Sequence, residues 1–368
     1  MSEKYNSVYF VTGGGTGGHI YPAMAVADAL SEEAKVYYVG NRRNMEYSLA
    51  TDKGYKFLHV GISGMPRKLN PKFFYWGIRL VRAILYSIKY IKKYKPNAVF
   101  ATGGYVSAPM IFACIITKTP YIMHDCDAMP GLVTRKLSKR AKYVSLAFEK
   151  AKKYIQNKNT IVVGNPIRSE FKTINKEMAR KNLGLDNKLT LCVMGGSQGA
   201  KSINNSIIDL VRELSQDKNI QIIFQTGKKN YNDVVEKLKM VYPTFEQDKK
   251  LRIQPYFMDM ISVLKSSDIV VSRAGSLSLS EICASSLAPI LIPYPHAAAN
   301  HQRINAKYFL EQGACIYIED KDLDTNNLRT TLLSMIDNPV KIDYLKQNSS
   351  HLAKFDATEQ IVKLLKSI

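Results

Sequence analysis

The chain has 368 residues, 46% of them hydrophobic, which exceeds one core of ordinary size and suits two domains. Met1 to Ser7 is polar and the apolar run Val8 to Thr12 is only of strand length, so no signal peptide is expected, and no stretch approaches the roughly 20 apolar residues of a spanning helix. Five widely spaced cysteines (Cys114, Cys126, Cys192, Cys283 and Cys315) argue against a disulfide framework or a Cys-rich zinc site and suit a reducing cytoplasm. The net charge of +21 is concentrated in residues 1–164, where 25 Lys and Arg stand against 9 Asp and Glu, so an anionic surface or ligand is expected at that half.

In chain order, the first half offers strands at SVYFVT, KVYYVG, KFLHVG, AVFATG, PYIMHD and KYVSLA, alternating with longer amphipathic stretches. The second half repeats the pattern at LTLCVMG, IQIIFQTG, LRIQPYF, DIVVSRAG, APILIPYP and ACIYIED. Short apolar runs separated by helices predict parallel α/β sheets. Both halves open on a strand, a Gly-rich turn and a helix, which predicts two Rossmann-like domains facing across a cleft, with ligands at the carboxyl ends of the strands. The expected join is VVGNPIRSEF, where Asn165-Pro166 interrupts regular structure.

The first turn places Gly13, Gly15 and Gly18 in the dinucleotide pattern G-x-G-x-x-G. A dinucleotide site also wants an acidic residue after the second strand, where this chain has Asn41-Arg42-Arg43; a 2'-phosphate on those arginines keeps an NADP oxidoreductase as a remote alternative. A P-loop fails, because His19 follows the last glycine where Lys-Ser/Thr is required. His19 precedes Pro22, the expected first-turn proline of the next helix, and can either cap that turn or act as a base facing the cleft. From Phe73 to Lys93, Phe74, Ile78, Val81, Leu85 and Ile88 recur at helical spacing beside Arg79, Arg82, Lys89 and Lys93. Such a helix suits an anionic membrane surface as well as it suits a packed domain face.

In the second half, GGSQGAKS is a further tight turn before a helix, and VVSRAGSLSLSEI puts Glu281 about a turn and a half into another, where a carboxylate can accept two ribose hydroxyls. Asn300, His301 and Gln302 gather amide and imidazole groups suited to sugar hydroxyls. A nucleic-acid-binding protein fits poorly, since the basic residues accompany an apolar arc and no RNA-reading motif occurs.

Six motifs, GGGTGGHIYPAMAVA, ATGGYVSAP, GNPIR, GGSQGA, SRAGSLSLSEI and NHQRINA, stand in the order and spacing of the MurG family, which the chain resembles over essentially its whole length. The resemblance implies a peripheral membrane N-acetylglucosaminyltransferase of GT-B fold on the cytoplasmic face of the cell membrane. Such an enzyme transfers GlcNAc from UDP-GlcNAc to lipid I with inversion, needs no metal or cofactor and gives lipid II. It implies an acceptor and membrane domain at 1–164, a UDP-sugar domain at 165–351, and a terminal helix at about 352–368 that can pack back on the first. Other cell-wall synthesis or division proteins are further partners it allows. Related enzymes using another lipid acceptor or UDP-sugar stay open beside it.

By motif, the resemblance implies diphosphate contacts from Arg168 and Ser197, a uracil contact from the backbone of Phe257, a ribose contact from Glu281 and sugar contacts from His301 and Gln302. Thr16, Gly17, Gly18 and Asp127 complete the donor set. Thr16 also lines the acceptor face with Gly14, His19, Tyr105 and His124. One stretch departs from the family: where the pattern reads H-E-Q-N, this chain has His124-Asp125-Cys126-Asp127. Asp127 thus brings a negative charge beside the donor sugar, which bears on donor preference and pH optimum, and it rivals His19 as the base. The same residues spell D-x-D, but two carboxylates make a poor cage for a metal ion.

Overall fold

The computed structural model describes residues 7–66, 71–196 and 198–368. The chain divides into two compact units, Met1–Arg168 with Lys354–Ile368, and Ser169–Ala353. The first unit holds a seven-stranded parallel sheet in the order β3-β2-β1-β4-β5-β6-β7. Its strands are β1 (Val8–Thr12), β2 (Lys35–Gly40), β3 (Lys56–His59), β4 (Ala98–Ala101), β5 (Tyr121–Asp125), β6 (Tyr143–Leu146) and β7 (Thr160–Val162). Phe10, Val11, Val99 and Phe100 are fully buried, because helices cover both faces of a parallel sheet and its central strands are therefore apolar throughout.

Strand β1 pairs with β2 on one side and β4 on the other, so the chain reverses its direction of travel across the sheet between them. The loops leaving the carboxyl ends of β1 and β4 meet at that point, where the Thr102 hydroxyl donates to the His19 carbonyl at 2.7 Å. Helices α1 (Gly17–Ser31), α2 (Met45–Asp52), α3 (Pro71–Tyr94) and α4 (Gly104–Thr117) follow four of the strands. The helix Ala357–Lys366 returns to this unit and buries Ala357, Ile361 and Leu365 in the core that also holds Ala23 and Ala27 of α1.

All six strands expected in this half form. The seventh, β7, ends at Val162, the first residue of the expected join; with only three half-buried residues at the sheet edge it carries no alternation to detect. Helix α1 also differs from expectation, since it starts at Gly17 and leaves Pro22 inside the helix. The N–H groups of His19 and Ile20 both donate to the Thr16 carbonyl at 3.1 Å, so the glycines themselves wind into the first turn.

The second unit repeats the order on six strands, β10-β9-β8-β11-β12-β13. These are β8 (Thr190–Met194), β9 (Gln221–Gln225), β10 (Leu251–Gln254), β11 (Ile269–Ser272), β12 (Ala288–Leu291) and β13 (Ile316–Tyr317). Every strand expected here is present. Among the described residues no helix is long and apolar enough to cross a membrane.

Candidate functional site

In the first unit the glycine turn is held from beneath. The Tyr38 hydroxyl donates to the Gly13 carbonyl at 2.6 Å. Glu46, on α2 and 0% exposed, accepts from the N–H of Gly15 at 3.3 Å and of Asn41 at 3.2 Å, and from the Asn44 side chain at 3.0 Å. Burial, and secondarily the Glu46 charge, pushes the Tyr38 phenol well above its ordinary value, so the hydroxyl stays a donor. A ribose-binding acid is expected just after β2, where the chain has Arg42 and Arg43. The acid is a few positions on, at Glu46, and it faces inward onto the turn. Gly15 has φ +87°, and a Cβ there would lie 2.8 Å from the Tyr105 ring, so only glycine lets this ring close over the loop. Asn44 also donates to the Tyr105 hydroxyl at 3.1 Å, which links the β2–α2 loop to the start of α4.

His19 is the third residue of α1 and half-buried. Its ring lies against the start of α4: a Cβ on Gly104 would come 3.0 Å from His19 Cδ2. Pro22 lacks the N–H that would reach the Gly18 carbonyl four residues earlier. That carbonyl accepts instead from the Cys126 thiol at 3.1 Å. The interior proline thereby frees the group that ties the His19 loop to the turn carrying Asp127. Asp127 is half-buried, Gly17 and Gly18 are half-buried, Thr16 is exposed and Gly14 is buried.

His124, expected on the acceptor face, is not there. It is fully buried, with Nε2 3.1 Å from Asn165 Oδ1 and Nδ1 3.1 Å from Ser145 Oγ. Burial lowers its pKa to about 4, so the ring is a neutral part of the core and reaches no ligand. The Asn165 side chain donates in turn to the Cys126 carbonyl at 3.3 Å. Asn165 of GNPIR is thus a brace for the end of β5, and Arg168 lies half-buried three residues further on.

Asp125 is also turned inward. Its carboxylate accepts from the N–H groups of Asp127 at 3.2 Å and Gly131 at 3.0 Å, which fixes the turn between them. Burial, then the neighbouring Asp127 charge, pushes it up to about 7. The two carboxylates of the D-x-D string therefore do not face one ligand together. Among the described residues no group of three or more His, Cys, Asp or Glu is placed to hold a metal ion.

In the second unit the turn after β8 is pinned to the end of β9. Gly199 has φ +75°, and a Cβ there would lie 2.0 Å from the Thr226 carbonyl oxygen. The glycine is required by close backbone approach. Gln225 bridges two loops: its amide donates to the Gly196 carbonyl at 3.2 Å and its Oε1 accepts from the Phe257 N–H at 2.9 Å. Phe257 is buried, and because its N–H is already engaged, a base paired here would use the carbonyl or displace Gln225. Ser197 lies outside the described residues.

Arg273 of the SRAG stretch is a brace that sequence reasoning did not single out. It donates to the carbonyls of Ile292 and Pro293, to Asp320 at 2.6 Å and to the Ser202 hydroxyl at 2.9 Å. Glu281 is half-buried, the sixth residue of the helix Ser276–Ala284. Gln302 accepts from the Tyr294 N–H at 3.0 Å, and His301 donates from Nδ1 to the Ala298 carbonyl at 2.7 Å. Ala299 and Asn300 between them take φ of +50° and +54°, a conformation that non-glycine residues rarely adopt and that is concentrated at functional loops.

Two doubly wound parallel sheets, each with a glycine turn after its first strand, define a GT-B fold. Residues 9–146 match the glycosyltransferase family 28 N-terminal domain and residues 190–364 the family 28 C-terminal domain. The chain belongs to glycosyltransferase family 28. It is 36% identical over 365 residues to a protein of Thermoanaerobacter sp. (strain X514) named "UDP-N-acetylglucosamine--N-acetylmuramyl-(pentapeptide) pyrophosphoryl-undecaprenol N-acetylglucosamine transferase", covering 98% of this chain and 99% of that protein. A protein of the same name from Desulfitobacterium hafniense (strain DCB-2) is 36% identical over 359 residues, 96% of this chain and 97% of the relative. Among solved structures, Acinetobacter baumannii MurG superposes with a TM-score of 0.79 at 24% identity, covering 98% of this chain and 100% of that one. A UDP-GlcNAc 2-epimerase from Neisseria meningitidis bound to UDP-GlcNAc shares the fold at a TM-score of 0.69 and 14% identity, over 98% and 100%.

Proposed function

We propose that this chain transfers GlcNAc from UDP-GlcNAc to the 4-hydroxyl of the MurNAc unit of lipid I, giving lipid II. The observation that carries this reading is the near full-length identity to transferases named for that reaction, on a chain whose motifs all fall at loops or helix starts. The reaction is a single displacement with inversion at the anomeric carbon, and UDP is the leaving group.

On the donor side, the helix N-terminus after Gly275, the β8 turn with Ser197, and Arg168 stabilise the departing diphosphate. Glu281 takes the ribose, the Phe257 backbone takes the uracil, and His301 and Gln302 read the sugar. Thr16, Gly17, Gly18 and Asp127 complete the donor contacts. The acceptor lies over Gly14, His19 and Tyr105. His124 braces this surface from inside. His19 removes the hydroxyl proton: its ring is held between the glycine turn and the start of α4. No metal ion is used. The exposed stripe Phe74, Ile78, Val81 and Leu85 of α3, with its neighbouring arginines and lysines, rests on the anionic cytoplasmic face of the membrane that carries the acceptor.

Replacement His19→Ala tests the assignment of the base. Turnover is expected to fall by roughly 10² to 10⁴, while the affinity for UDP-GlcNAc, measured by calorimetry, stays within about threefold. Unchanged turnover would remove His19 from the chemistry and leave Asp127 as the base.

A further inference from the structure

A cavity of ≈ 670 Å³ opens in the first unit between the loops after β2 and β3, the side of α3 that carries Ala83, and the start of α4. Arg42 and Arg43 enter it from the loop after β2, Arg79, Arg82 and Tyr86 from α3, and Tyr105 from α4. Among the described residues that line it there is no Asp or Glu. We propose that this cavity seats a diphosphate carried on an apolar chain, the linker of the acceptor; the inference rests on the reading given under Proposed function.

Four guanidiniums around one space repel each other, and an anion is what relieves that repulsion. Arginine rather than lysine suits it to phosphate oxygens, because the planar fork donates two parallel hydrogen bonds. The cavity is electropositive enough to be felt by its neighbours. Burial first, and the Arg42 and Arg43 charges after it, lower the His59 pKa, and the His59 Nδ1 accepts from the Arg42 N–H at 3.2 Å.

Order along the surface supplies the identity of the ligand. The exposed apolar stripe of α3 includes Ile78 and Val81, each one residue away from a cavity arginine, Arg79 or Arg82. At the other side Tyr105 belongs both to the cavity wall and to the cover of the glycine turn, and its neighbour Gly104 abuts His19. Apolar stripe, arginine cavity and His19 loop thus follow one another in the sequence in which a lipid-linked sugar presents its chain, its diphosphate and its hydroxyl. A free phosphate would need no apolar approach, and a phospholipid headgroup would need no continuity with His19.

Arg42 and Arg43 are exposed, so Arg42→Ala with Arg43→Ala disturbs no core, and an unchanged melting temperature verifies this. In the full-length protein, the double variant is expected to raise the KM for a short-chain lipid I analogue about tenfold or more, with kcat and the KM for UDP-GlcNAc little changed. Arg79→Lys with Arg82→Lys keeps the charge and loses the fork. It is expected to raise the same KM while leaving binding to phosphatidylglycerol vesicles intact. In calorimetry, geranyl diphosphate binds the wild type and binds the Arg42→Ala, Arg43→Ala variant about tenfold more weakly, whereas geraniol binds neither. This arm needs no transfer activity, so it judges the cavity even if the proposed reaction is not the one catalysed. An unchanged acceptor KM and unchanged geranyl diphosphate affinity would overturn the proposal. Inorganic pyrophosphate binding as tightly as geranyl diphosphate would reduce the cavity to a free-anion site and also overturn it. Loss of vesicle binding in the Arg42→Ala, Arg43→Ala variant without a change in acceptor KM would assign it to a phospholipid headgroup instead.

Discussion

His124 and Asp125 are adjacent in the chain and respond to pH in opposite directions. Asp125 is held at about 7, above its ordinary 3.8, so between those values the folded state keeps a proton the unfolded chain has lost, and stability falls as pH rises. His124 is held at about 4, below its ordinary 6.5, so between those values the unfolded chain binds a proton the folded state refuses, and stability rises with pH. The two slopes oppose each other up to pH 6.5, and above it only that of Asp125 remains up to its folded value. Asp125→Asn removes one of them. Denaturant titrations at stepped pH should show the wild type losing stability relative to this variant by roughly 1.4 kcal/mol per pH unit between pH 4 and 7. A gap that does not change with pH would mean that Asp125 is ionised throughout. At this scale the sequence displayed the residue types but not their orientation. Nothing in the string His124-Asp125-Cys126-Asp127 tells that the first three turn inward and the fourth does not. That outcome depends on Asn165 and Gly18, which are distant in the chain.

Among the elements, α3 has one buried and one exposed face. Ala83, Ser87 and Ile91 are buried, while Phe74 is 72% and Leu85 60% exposed. Ile91→Ala should cost about 2–4 kcal/mol of unfolding free energy by opening a cavity. Ile78→Ser with Leu85→Ser should change stability by no more than about 1 kcal/mol yet weaken binding to anionic vesicles about tenfold or more in flotation assays. Equal vesicle binding by wild type and double variant would place the membrane contact elsewhere. The helix was legible from its period, and Phe74, Ile78, Val81 and Leu85 do form one outward stripe. Its other side was not legible. Ile88, read with that stripe, is half-buried against the core, because periodicity marks an apolar arc without saying which edge of it a neighbouring helix covers. The same limit applies to Pro22: the pattern located helix α1, but only the winding of the glycines moved its start to Gly17.

For the whole molecule, the two parallel sheets follow from the alternation of apolar runs and helices, whereas their strand order is visible only in the structure, and β7 escaped because it is a three-residue edge. The candidate donor residues stand in motifs that the sequence displays, whereas the braces Glu46, Gln225 and Arg273 carry no such signal. Each of these makes a contact to a loop far away in sequence, Glu46 to Gly15, Gln225 to Gly196 and Arg273 to Asp320, and a buried Glu or Arg reads in one dimension like any surface charge. The charge concentrated in residues 1–164 accords with an acceptor that is both phosphorylated and membrane-borne. Full-length protein incubated with radiolabelled UDP-GlcNAc, a lipid I analogue and vesicles should move the label into a product that is lipid II by mass. Label remaining in UDP-GlcNAc with that acceptor, but moving to another lipid or from another UDP-sugar, would contradict the proposed transfer.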